Sequence, residues 1–208
     1  MPIRPISPEA LVHELADRVV ASPNRWTRVA VDGADAAGPG LLADEVAAAV
    51  RVRGRAVVRV RAEDHLRPAS LRFERGRDDP DSFYDDWLDE AGLRREVLDP
   101  LGPHGDGRVR VRRHDPLTDR ATRDEFTPVP AGGALLLSGG LLLGRGLPLE
   151  LTVHLHLSPA ALARRTPAAL AWTLPAYARY AEEVGPAAIA DVVVRLDDPR
   201  HPALVDAE

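Results

Sequence analysis

Apolar residues recur along this chain in two rhythms, one helical and one of short continuous runs. Leu11, Leu15, Val19 and Val20 fall at helical spacing behind Ser7-Pro8-Glu9. Ser7 is a good N-cap and Pro8 suits a first helical position, so a helix is predicted to about Ala21. Val29 to Val31, preceded by Trp26, is a short apolar run that predicts a buried strand, and the Ala/Leu/Val-rich stretch from about Leu41 to Val52 predicts a helix ending at Arg53-Gly54. Ala56 to Val60 reads as a second strand that ends in Ala62-Glu63-Asp64-His65, and Pro68 to Asp81 is polar and irregular. Ser82 to Leu98 predicts one helix with Phe83, Trp87, Leu88 and Leu93 facing inward, and Val109 to Val111 a short strand or hairpin arm. Ala134 to Ser138 is apolar without alternation and bounded by glycines, the pattern of a strand covered on both faces. A strand over Leu149 to Leu157, a helix opening at Ser158-Pro159, a helix from about Pro175 to Val184 and a last strand at Ala190 to Val194 complete the series.

Strands alternating with helices predict a parallel sheet wrapped on both sides. The expected architecture is a three-layer α/β fold of the P-loop NTPase type, with a parallel sheet of about five strands. Residues 1–208 are expected to form a single domain: an N-terminal helical segment (1–25), a core (26–196) and an irregular tail (197–208). A net charge of −5 lacks the basic face of a nucleic-acid binder, so no nucleic-acid partner is expected. No apolar run approaches about 18 residues, so no membrane partner is expected either. Met1 to Glu14 shows no charged-then-apolar leader, from which a cytoplasmic location is expected. The chain has no cysteine, and all 27 of its basic residues are arginine.

The most informative segment is Val31-Asp32-Gly33-Ala34-Asp35-Ala36-Ala37-Gly38-Pro39-Gly40. Gly33 and Gly38 match the spacing G-x-x-x-x-G-K-[ST] between a strand and a helix, the setting of a phosphate-binding loop. In that motif a lysine reaches the β- and γ-phosphates and a hydroxyl holds Mg²⁺; here Pro39 and Gly40 stand in those places. Because the chain contains no lysine, no distant lysine can substitute. Pro39 also lacks the backbone N–H that the loop would aim at an anion. The amides of Ala36, Ala37, Gly38 and Gly40, with the dipole of the following helix, are left as the anion-facing set.

The order of this loop, the strand ending in Glu63-Asp64, then Asp79-Pro80-Asp81-Ser82-Phe83-Tyr84-Asp85-Asp86 and Leu98-Asp99-Pro100-Leu101-Gly102-Pro103 resembles bacterial uridine kinases, of the phosphoribulokinase/uridine kinase branch of P-loop kinases. The closing Ala190 to Val194 resembles that branch's last strand, and the likeness runs from about Arg28 to Val194. The resemblance implies transfer of the γ-phosphoryl of ATP, with Mg²⁺, to a nucleoside hydroxyl. It implies Glu63 or Asp64 as the base, Asp78, Asp79 and Asp81 near the sugar hydroxyls, and Arg164 and Arg165 as lid arginines beside Gly33, Ala36, Ala37, Gly38, Pro39 and Gly40 at the nucleotide. The strand Leu135 to Leu137 should end in an acid near Mg²⁺; Ser138 stands there instead. The acceptor side thus departs less from the pattern than the donor side.

Phosphoryl transfer depends on positioning and charge stabilisation, and one lost stabilising group typically costs about 10²–10³ in rate. The expected function is therefore a nucleoside-kinase-like protein with a degenerate nucleotide and Mg²⁺ site, acting as a binding or regulatory pseudokinase. An active kinase for a nucleoside or other small hydroxyl substrate, and a structural subunit of a homo- or hetero-oligomer, are the alternatives. His154 and His156 alternate with Val153, Leu155 and Leu157 and so share one strand face; packed histidines are the reading favoured over the start of a metal site, because no third ligand accompanies them.

Overall fold

The computed structural model describes residues 3–115 and 118–206. In chain order the elements are β1 (Ile3–Pro5), α1 (Pro8–Ala21), β2 (Thr27–Asp32), α2 (Pro39–Val52), β3 (Val57–Arg61), α3 (Ala69–Arg72), α4 (Pro80–Asp85), α5 (Glu90–Leu93), β4 (Arg108–Val109), β5 (His114–Asp115), β6 (Arg120–Ala121), β7 (Thr127–Pro128), β8 (Ala134–Gly139), β9 (Leu151–His156), α6 (Pro159–Arg165), α7 (Leu174–Glu183), α8 (Pro186–Ile189), β10 (Val192–Arg195) and β11 (Ala203–Asp206). The main sheet runs β1-β11-β10-β9-β2-β8-β3. Its five strands from β10 to β3 are parallel, as the sequence predicts, while β11 and β1 add an antiparallel edge.

Two apolar cores lie on opposite faces of this sheet. Leu11, Leu15 and Val19 of α1 and Val46 and Val50 of α2 pack with Val29, Val31, Leu136 and Val153 on one side. Leu93, Val97, Leu98 and Tyr180 pack with Ala30, Leu135, Leu137 and Val193 on the other. Alternate residues of β2 and β8 therefore feed different cores, which is why residues 29–31 and 134–137 carry no polar position. The α1 segment is not an appendage, since its apolar stripe belongs to the first core. Ser7 caps α1 by accepting from the Ala10 amide at 3.1 Å, as its position suggests.

Two expected elements are corrected. The tail from Asp197 is not irregular throughout: β11 pairs antiparallel with β10 on one side and β1 on the other, with Leu204 fully buried. Without β11 the outer backbone of β10 would be an unpaired edge. The predicted helix over 82–98 is broken into α4, α5 and a wide turn at Arg94–Leu98. Between them the Asp89 amide bonds the His65 carbonyl at 2.9 Å and Leu88 bridges Leu66. Asp89 then caps α5 through the Gly92 amide, also at 2.9 Å. Contacts remote in sequence thus outcompete a continuous helix, and the cap restarts it.

No helix among the described residues is long and apolar enough to cross a membrane.

Candidate functional site

β2 delivers Asp32 and the loop behind it to the carboxyl edge of the parallel strands, where open α/β sheets place their ligands. Gly33 donates to the Gly139 carbonyl at 3.1 Å, which locks the loop to the end of β8. A β-carbon at Gly33 would lie 2.9 Å from that of Leu155, so only glycine lets the loop pass β9. Residues Asp35–Ala37 then form a tight turn, and Gly38 takes the left-handed conformation at φ 75° before α2 begins at Pro39. A Gly38→Ala change meets no neighbour but imposes left-handed backbone on a side chain; a loss of about 1–2 kcal/mol is expected, measurable by urea denaturation.

The turn engages the amides that an anion would need. Ala37 donates to the Ala34 carbonyl at 2.7 Å and Gly38 to that of Asp35 at 2.9 Å. Pro39 has no N–H. Of the anion-facing set, only Ala36 and Gly40 are left as candidates.

The metal positions are altered more deeply. Arg59 lies on β3 opposite Leu136 of β8, on the face covered by α2. Its guanidinium bonds Asp44 of α2 at 2.8 Å, the Ser138 hydroxyl at 3.0 Å and the Gly40 carbonyl at 3.3 Å, and also reaches the Leu136 carbonyl. Only 14% of its side chain is exposed. Ser138 and Gly40 are the two positions at which the motif would hold Mg²⁺, and a fixed cation touches both. The two motif positions offer a divalent ion one hydroxyl and no carboxylate, and the Asp44 carboxylate is paired with the guanidinium that lies against them, so the residues present do not fit it.

Glu63 and Asp64 sit together on the short turn after β3. Partial burial pushes the Glu63 carboxyl up, and the Asp35 carboxylate reinforces this. Burial likewise pushes Asp35 and Asp64 up, Asp64 being opposed by Arg112 and Arg61. Asp35 and Glu63 thus place negative charge beside the loop, which opposes a polyphosphate. Asp79 caps α4 through the Ser82 amide at 2.7 Å, Asp81 pairs with Arg179 of α7 at 3.4 Å, and Asp78 is exposed. Among the described residues none of these three carboxylates contacts Glu63 or Asp64. Arg165 donates to the Asp197 carbonyl at 2.7 Å, and Arg164 is exposed at the end of α6.

A buried polar node beneath the loop was not anticipated from the sequence. Asp32 has no exposed surface and accepts three hydrogen bonds: from the Leu142 amide at 2.9 Å, His154 Nδ1 at 2.7 Å and the Tyr180 hydroxyl at 3.1 Å. Tyr180 in turn accepts from the Leu143 amide at 2.9 Å. These bonds hold the turn after β8, where Leu141 takes a left-handed φ of 60°. Burial and the Asp32 carboxylate both push the Tyr180 phenol up, so it stays a donor. The alternation at His154 and His156 was legible as a shared face; that Asp32 faces His154 follows only from the β2–β9 pairing, which sets the two residues side by side.

No protein-family model and no curated protein matches the chain. Solved structures do. A "possible uridine kinase" from Bacillus stearothermophilus superposes over 88% of this chain and 96% of its own at 18% identity, with a TM-score of 0.70. A "putative fructose transport system kinase" from Silicibacter covers 82% of this chain and 95% of its own, also at 18% identity, with a TM-score of 0.56. At such identities the likeness establishes the fold. The chain has the α/β fold of P-loop kinases, with the uridine kinase branch among its structural neighbours.

Proposed function

We propose that this protein is a ligand-binding or regulatory relative of nucleoside kinases that does not transfer phosphoryl groups from Mg·ATP. The observation that carries the reading is Arg59, whose guanidinium bonds both the Ser138 hydroxyl and the Gly40 carbonyl where the motif would place Mg²⁺. The engaged amides of Ala37 and Gly38 and the carboxylates of Asp35 and Glu63 act in the same direction. Calorimetric titration with ATP is expected to give no Mg²⁺-dependent binding at millimolar nucleotide. Turnover with uridine, cytidine or fructose is expected to be absent. Tight Mg²⁺-dependent binding with turnover of any of these would overturn the reading.

One observation favours a second reading, an active kinase. Glu63 is held above the usual carboxylate range at the strand end assigned to the base, as suits a group that takes up a proton. Under that reading Glu63→Gln abolishes a measurable activity, while Arg164→Ala weakens it; equal rates in both variants and wild type would remove it.

A further inference from the structure

Beside the loop, but outside the positions discussed above for nucleotide and metal, lies a cavity of about 770 Å³. It is bounded by the end of β9, by α6 and by α7 and α8, with Ala34 of the loop at one side. Its size falls in the range of small-molecule pockets, roughly 300–1,000 Å³. The walls are mainly apolar, for instance Leu155, Leu162, Leu174 and Ala187. Neither arginine nor carboxylate lines it, which disfavours a phosphorylated or strongly ionic occupant. The polar groups on its walls are His154, His156, Tyr177 and Tyr180.

His154 is the decisive one. The residue is 7% exposed, and its Nδ1 is fixed by the wholly buried Asp32. Asp32 engages Nδ1, which leaves Nε2 as the ring's other hydrogen-bonding atom. The two ring nitrogens lie on opposite edges, so Nε2 points away from Asp32 and toward the cavity that His154 lines. Among the described residues Nε2 has no hydrogen-bond partner. A ligand hydroxyl, which can both donate and accept, would pair with it. His156 follows on the same strand face, with its ring 6.1 Å from that of His154. Burial and the neighbouring His154 push His156 down.

We propose that this cavity binds an apolar small molecule bearing a hydroxyl group, phenol or alcohol, which hydrogen-bonds Nε2 of His154. Asp32, which does not line the cavity, positions the imidazole. The inference is independent of whether the phosphate loop binds ATP, because its ligand carries no phosphate.

Fluorescence titration of the full chain with hydroxypyrene and with pyrene tests the proposal. The two share an apolar ring system and differ by the hydroxyl. Hydroxypyrene is expected to bind saturably and about tenfold or more tightly than pyrene, the scale of one buried hydrogen bond. His154→Phe is expected to abolish that preference while pyrene still binds. Because His154→Phe also removes a partner of Asp32, a second variant guards against misfolding. Ala178 is an exposed residue on the wall contributed by α7, and Ala178→Trp is expected to block both probes with the circular dichroism spectrum unchanged. Saturable binding of neither probe, equal affinity for both, or unaltered binding in a folded Ala178→Trp protein would each overturn the proposal.

Discussion

Asp32→Ala is expected to cost about 3–5 kcal/mol of folding stability, the scale found when one partner is removed from a buried charged network. The carboxylate has no exposed surface and accepts from the Leu142 amide, His154 and Tyr180. Alanine leaves three donors pointing at an apolar methyl. It also releases the turn at Leu141, whose left-handed backbone depends on the two amides that follow it. Asp32→Asn keeps the shape and one acceptor oxygen, and should cost less, about 1–3 kcal/mol. Urea denaturation of the three proteins gives the comparison. A loss below about 1 kcal/mol for Asp32→Ala would show that the node does not hold the sheet edge together.

The second large effect is expected with acid. His65 is fully buried; its Nε2 bonds the Val111 carbonyl at 2.9 Å, and Nδ1 has no partner among the described residues. Burial is the main cause that pushes its pKa down to about 4, with Arg113 acting in the same direction. The Val111 carbonyl, Asp89 and Glu96 oppose it but do not prevail. In the unfolded chain the imidazole takes up a proton near its usual value of about 6.5. Protons therefore favour the unfolded state between these two values. The stability contributed by keeping His65 neutral is complete above about pH 6.5 and is lost as the pH falls toward 4. The difference amounts to about 3 kcal/mol. Denaturation at pH 7 and pH 4.5, for wild type and for His65→Leu, isolates this term from the carboxylates. If both proteins lose the same stability on acidification, His65 is not the cause.

What the sequence made legible and what it concealed divide along one physical line. Elements specified by neighbours in the chain were readable: the Ser7 and Ser158 caps, the unbroken apolar run of β8, and the glycine frame of the loop. Elements specified by partners far along the chain were not. The break at Asp86 to Asp89 depends on His65 and Leu66, and β11 depends on the free edge of β10. The site follows the same rule. Pro39, Gly40 and Ser138 announce missing chemistry on inspection, but Arg59 reads as one more charged residue in a strand. Its role follows from the β3–β8 register, which sets it opposite Leu136 and brings the guanidinium up to Ser138. Asp32 falls just past the predicted strand, in the loop segment, and only the pairing of β2 with β9 shows it to be the centre of a buried network.

The order of the sheet has a consequence for how the chain is made. β2 lies at the centre of the five parallel strands, yet both strands that flank it, β8 and β9, come roughly a hundred residues later in the sequence. Such non-local pairings close late and slow the search for the native state. During synthesis an apolar strand with both backbone edges unpaired must wait while the intervening chain emerges, which takes about 5–20 seconds at 5–20 residues per second. Over that interval Trp26 to Val31 is the segment most open to chaperones and to unwanted pairing with other chains.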